Sequence, residues 1–242
     1  MKRTFAAVVA AALLAGVATA EPAADKPLRT AGEWAVSLDA QGHVVALKQT
    51  TSLKPILGEP LERAIRGWTF EPGRIDGRPQ PTETTLNVSV VLEPSGTDGY
   101  AIRIDDVGTG GGIRKLPTLR VNPRDVREGT YLYVMRVAYD RDGKVVSVTP
   151  EAGTPEVPSG VRRNMEIVMK GATFAPERVG GQAVAADVVI PMCVSMARNR
   201  MPPADGACEW TPPRKRSAIG SGQRVAVDPA AKLLSDVIGR TL

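Results

Sequence analysis

Histidine is almost missing from this chain of 242 residues, with His43 the only one. A single histidine in a turn excludes an intrachain His-based triad and any multi-histidine metal site. Other catalytic constellations are absent as well. Asp105 and Asp106 are adjacent and would point to opposite faces of a strand, unlike a carboxylate pair converging on one substrate. Asp140 and Asp142 beside Gly143 lack the later ligands of a calcium loop. The glycine run Gly108–Gly112 lacks the Gly-Lys-Ser/Thr ending of a phosphate loop and reads as flexible linker. No catalytic residue, metal or cofactor is expected, and the chain does not read as an enzyme. Charge of one sign is not in large excess either. A formal net charge of +5 falls to +3 once Lys2 and Arg3 leave with the leader described next, too little to argue for nucleic acid.

Long apolar runs are lacking beyond the first twenty residues. Lys2 and Arg3, an apolar run from Phe5 to Val17, and Ala18-Thr19-Ala20 make a secretory signal (1–20) with cleavage expected between Ala20 and Glu21. The run is shorter than the roughly 20 residues of a membrane span, so no stable membrane insertion is expected after cleavage. Val17 stands where a lipoprotein would carry its cysteine. Cysteine is scarce too, but Cys193 and Cys208 would meet an oxidising compartment and are expected to form one disulfide, worth about 3 kcal/mol, that pins the tail.

What the chain does contain is a long internal repeat. Leu57–Gly77 and Val161–Gly181 align at a constant shift of 104 residues. Leu57, Leu61, Ala64, Ile65 and Trp68 match Val161, Met165, Val168, Met169 and Ala172, a spacing that lines one stripe of a helix. Phe70 and Phe174, then Pro72 and Pro176, repeat the exit from that helix. The expected repeat core is Leu57, Leu61, Ile65, Trp68 and Phe70 in one copy and Val161, Met165, Met169 and Phe174 in the other. Each helix is preceded by an alternating hairpin, Trp34–Leu47 and Met135–Val148, here at a shift of 101. Each is followed by a strand, Leu86–Leu92 and Val188–Val194.

These patterns predict an α+β protein of two tandem small units, each an antiparallel sheet with one helix packed on it in the order hairpin, helix, strand. The units are placed at 28–94 and 118–197, with a linker at 95–117 and a disulfide-tethered basic tail at 198–242. The tail holds Arg214-Lys215-Arg216 and a terminal helix signal, Asp228-Pro229 at its start and Gly239 at its end.

Asp39, Gly42 and Val44 in the first hairpin, then Trp68, Phe70, Pro72, Gly77 and Pro79, resemble the TonB C-terminal domain family. Asp140, Gly143, Val145, Phe174, Pro176 and Gly181 repeat the pattern, with Ala172 and Ala183 replacing the tryptophan and the last proline. The resemblance covers most of 32–94 and 120–196. It implies a periplasmic module of Gram-negative bacteria that grips a peptide or envelope protein as an added strand. Asn87, Ser89 and Val91 are the expected outward face of the binding edge. Two departures, a cleavable signal in place of a membrane anchor and no long proline-rich spacer, argue against coupling to the proton gradient. The alternative expectation is a structural envelope protein touching peptidoglycan or anionic surfaces.

Overall fold

Alternation of apolar residues produces two antiparallel strands, β1 (Leu28–Leu38) and β2 (Val44–Gln49), with Trp34, Val36 and Leu38 buried on one face. The turn between them is built by Asp39, whose Oδ1 accepts the backbone N–H groups of Gln41 and His43, each at 2.9 Å. Helix α1 (Pro55–Ile65) starts on a proline, where the missing N–H costs nothing, and buries Leu61 and Ile65. Strands β3 (Thr82–Ser95), β4 (Gly99–Gly110) and β5 (Gly112–Lys115) follow. The second copy then supplies β6 (Gly129–Tyr139), β7 (Val145–Pro150), α2 (Ser159–Lys170) and β8 (Ala186–Met196). This computed structural model describes residues 27–95, 99–118, 128–196, 206–213 and 218–242. The leader, its cleavage site at Ala20 and Glu21, and the Arg214–Arg216 cluster lie outside the described residues.

Local structure repeats closely. Asp140 Oδ1 accepts the N–H groups of Asp142 and Lys144 at 3.0 and 2.9 Å, as Asp39 does in the first hairpin. Phe70 and Phe174 each donate a backbone hydrogen bond to the turn glycine, Gly42 or Gly143, at 2.9 and 2.8 Å. A Cβ on either glycine would lie 1.7 or 2.0 Å from that phenylalanine's carbonyl oxygen, so no side chain fits the turn. Both second strands also carry one extra residue, Val45 or Val146, where the register slips.

The fold class is nevertheless not two tandem α+β units. Strands account for 52% of the described residues and helices for 12%, in a mostly β structure with a curled antiparallel half-barrel sheet. The first sheet runs β2–β1–β3, and the far side of β3 pairs with β4 and, at its start, with Arg178–Val179 of the second copy. The second sheet runs β7–β6–β8 and is extended by Val225–Ala226. Segments outside the repeats attach to both copies, because β5 pairs with Thr173–Ala175 while Lys232–Leu233 pairs with Phe70–Glu71. Each copy is completed in part by chain that belongs to neither repeat, and the first also by Arg178–Val179 of the second.

The stretch 95–117 is therefore no flexible linker. Gly99–Gly110 is a twelve-residue strand that pairs with β3 from Thr85 to Ser95. Its glycines mark close approaches between the copies. A Cβ on Gly110 would lie 2.7 Å from Ala226 Cβ, on Gly111 2.1 Å from the Tyr139 hydroxyl, and on Gly112 2.8 Å from Thr85 Oγ1. The terminal helix expected at Asp228–Gly239 does not form either. Sheet edges capture its backbone instead, since Leu234 N–H donates to Thr69 O, Gly239 N–H to Ile104 O, and Leu242 N–H to Ile102 O. Of the apolar stripe only Val237 is buried, while Leu234 and Ile238 are 63% and 53% exposed.

Two cores result. Trp34, Leu61, Ile65, Trp68 and Phe70 pack with Ile102, Ile104, Ala231 and Val237, and half-buried Leu57 leans on them. Val161, Met165, Met169 and Phe174 pack with Tyr139 and Ile190, and the rings of Phe174 and Tyr139 stack at 4.6 Å. Each fully buried large side chain contributes roughly 1.5–3 kcal/mol. Cys193 on β8 is bonded to Cys208, with their Cα atoms 5.3 Å apart.

Candidate functional site

In an antiparallel pair, successive residues turn their backbone groups alternately toward and away from the neighbouring strand. Thr50 N–H donates to Glu33 O at 2.8 Å, which turns Lys48 and Ala46 toward β1 and leaves the N–H and C=O of Leu47 and Gln49 pointing outward. Glu151 N–H donates to Val134 O at 2.9 Å, which by the same alternation leaves Val148 and Pro150 outward on β7, Pro150 with a carbonyl only. Both strands end their sheets. Among the described residues, α1 and α2 pack on these strands, but no further strand pairs with them, and the nearest backbone bridges are His43–Thr69 and Lys144–Thr173 at the turns. Among the described residues, two uncovered edges thus stand at equivalent places, each with an exposed valine at its bulge, Val45 at 63% and Val146 at 64%. A bulge twists an edge and limits nonspecific pairing.

Asn87, Ser89 and Val91 do not form such an edge. They sit on β3, opposite Glu33, Ala31 and Arg29 of β1 on one side and Gly108, Asp106 and Arg103 of β4 on the other. Val91 is buried, Asn87 Nδ2 donates to Glu33 Oε1 at 3.4 Å, and Ser89 Oγ accepts from Gln223 Nε2 at 3.2 Å. Reading 95–117 as linker had left β3 at the end of its sheet; β4 closes it. His43 lies on the exposed hairpin turn with Nδ1 3.3 Å from Asp39 Oδ2. The backbone N–H of His43 is the main cause that holds the Asp39 carboxyl below its usual range.

Between the copies lies a polar cluster that sequence reasoning missed. Glu177, 2% exposed, accepts from Thr84 Oγ1 at 2.6 Å and from the backbone N–H groups of Ala230 and Ala231 at 2.7 and 3.4 Å. Burial pushes its carboxyl up, and the same hydrogen bonds pull it down by less. Arg224, also buried, donates through Nε to Gly111 O and through Nη1 to the Glu33 carboxylate. The Tyr139 hydroxyl is buried nearby without a hydrogen-bond partner among the described residues; the Gly111 N–H faces it but does not reach bonding geometry. Burial pushes this phenol up to about 12. Glu177 fastens β3, the second copy and the final segment together, and with three donors on it the carboxylate serves as a structural acceptor. The one sequence signal was a charge at 177 where the repeat has Gly73.

Comparisons with protein-family models, with curated proteins and with solved structures find no match. The likeness to TonB C-terminal domains rests on the motif residues of the two copies.

Proposed function

We propose that the protein is a periplasmic binding or adaptor module that recruits an extended peptide or envelope protein by strand addition, without coupling to the proton gradient. The observation that supports this reading is the duplicated uncovered edge, Leu47 and Gln49 on β2 and Val148 and Pro150 on β7. Main-chain hydrogen bonds would supply the grip, and side chains at the bulge the selectivity. The chain's own behaviour favours the mode, since Val225–Ala226, Lys232–Leu233 and Thr241 all attach as extended segments to strands remote in sequence. A partner edged onto β2 would extend the first sheet and one edged onto β7 the second.

The test compares the mature protein with a Val45→Lys, Val146→Lys double variant as baits in periplasmic extract. Both valines are exposed, so the lysines leave the cores intact while placing charge on the edges. The expected outcome is a discrete partner retained by the first bait and lost by the second. Equal retention by both, or no partner on either, refutes strand addition at these edges.

A further inference from the structure

We propose that a cleft across the seam of the two copies binds an anionic ligand carrying two or more carboxylate or phosphate groups, a site separate from the sheet edges and independent of the strand-addition reading. The cleft, about 380 Å³, is floored by the first copy around Ser37 and Thr85 and roofed by the hairpin turn and helix exit of the second. That volume is in the range of small-molecule sites. Arg114, Arg141 and Arg178 line it from three different elements, namely β5, the turn between β6 and β7, and the short strand Arg178–Val179.

Comparison of the repeats explains why these guanidiniums are available. Arg178 is the counterpart of Arg74, and Arg74 has a carboxylate beside it, Glu71 at 3.6 Å. The residue equivalent to Glu71 in the second copy is Ala175, which also lines the cleft. Among the described residues, the Arg178 side chain is left with one hydrogen bond, Nη1 to Gly181 O at 3.4 Å. Arg141 and Asp142 stand where the first hairpin has Ala40 and Gln41, so the second copy has gained one cation and one anion at the turn and has lost the carboxylate of Glu71. Among the described residues, neither Arg114 nor Arg141 makes an ion pair or a side-chain hydrogen bond. Glu83, the cross-strand register partner of Arg178, and Asp142 share the cleft and offset part of its positive charge, but among the described residues neither forms an ion pair with any of the three arginines. Planar guanidinium groups offer paired N–H donors that match carboxylate and phosphate oxygens two at a time. Three of them lining one cavity from separate elements, against two carboxylates, leave it with a net positive charge suited to an anion.

The experiment is calorimetric titration of the protein with pyrophosphate and, separately, with citrate, at low and raised salt. Arg114→Ser, Arg141→Ser and Arg178→Ser remove the proposed contacts singly and together, and Arg163→Ser, an exposed arginine on α2, is the control. All four positions are exposed, so thermal melts should match and loss of binding cannot be loss of fold. The expected result is saturable binding weakened about tenfold or more by each seam substitution, the factor carried by a charge-assisted hydrogen bond, and unchanged by Arg163→Ser. Raised salt should weaken it further, because the site is open to solvent. Pyrophosphate binding alone assigns a phosphate ligand, citrate alone a carboxylate one, and either supports the cleft. No binding of either probe by the wild type, or equal binding by the triple seam variant, overturns the proposal.

Discussion

Replacing Glu177 tests whether one carboxylate joins the two copies. In Glu177→Ala, the N–H groups of Ala230 and Ala231 lose their acceptor in a site that is 2% exposed, and Thr84 Oγ1 is left with only Gly110 O at 3.5 Å. Each stranded buried group costs about 1–3 kcal/mol, and the relieved desolvation of the carboxylate offsets part, leaving a loss of about 3 kcal/mol. Glu177→Gln keeps one acceptor oxygen but turns an amide toward an N–H donor, so its loss should be smaller, about 1–2 kcal/mol. The pH dependence carries the distinctive sign. Because burial raises the folded pKa above the unfolded one, the carboxyl's contribution is fully present below the unfolded value near 4.5 and declines as pH rises through the folded value. Urea unfolding of the wild type and Glu177→Gln between pH 4 and 7 reads this directly. The wild-type advantage should grow as pH falls. An advantage that is flat or shrinks toward acid would refute the account of Glu177 as a desolvated fastener.

The hairpin glycines make a paired comparison. Gly143 and Gly181 both have positive φ, +80° and +78°, but only Gly143 has a carbonyl where a Cβ would go. Gly181→Ala should cost about 1–2 kcal/mol for the left-handed backbone alone, and Gly143→Ala clearly more in the same denaturant assay. Equal costs would show that the Phe174 contact is unimportant. Tyr139→Phe removes a buried hydroxyl that has no partner and should change stability at pH 7 by less than about 1 kcal/mol. Since the phenol is pushed up to about 12, wild-type stability should decline between pH 10 and 12 more than that of the phenylalanine variant.

Much of the site was hidden for one reason. The edge expected at Asn87, Ser89 and Val91 follows from a correct strand with an incorrect neighbour. Glycine is a poor strand former, so Gly108–Gly112 reads as linker by propensity. In the fold Gly108–Gly110 and Gly112 are strand because they pair with β3 and with Thr173–Ala175, and Ala226, Tyr139 and Thr85 leave no room for a side chain at Gly110, Gly111 and Gly112. The terminal segment misleads in the opposite direction. Leu233, Leu234, Val237 and Ile238 have helical spacing, yet free backbone groups on Phe70–Glu71 and β4 were available to pair with it. Tertiary pairing overrode local preference in both cases. The seam arginines carry no periodic signature at all, and only their convergence makes them a site.

Sequence alone determined the duplication and its local parts. The paired Asp and Gly of each hairpin turn, the buried stripe of each helix and the phenylalanine after it depend on contacts within a few residues or one helical turn. Tertiary structure decided which edges are closed, which copy each short strand completes, and which charges face each other across the seam. Those outcomes depend on backbone hydrogen bonds between segments up to about 160 residues apart, as between Leu233 and Phe70, and no local pattern encodes the identity of a distant partner.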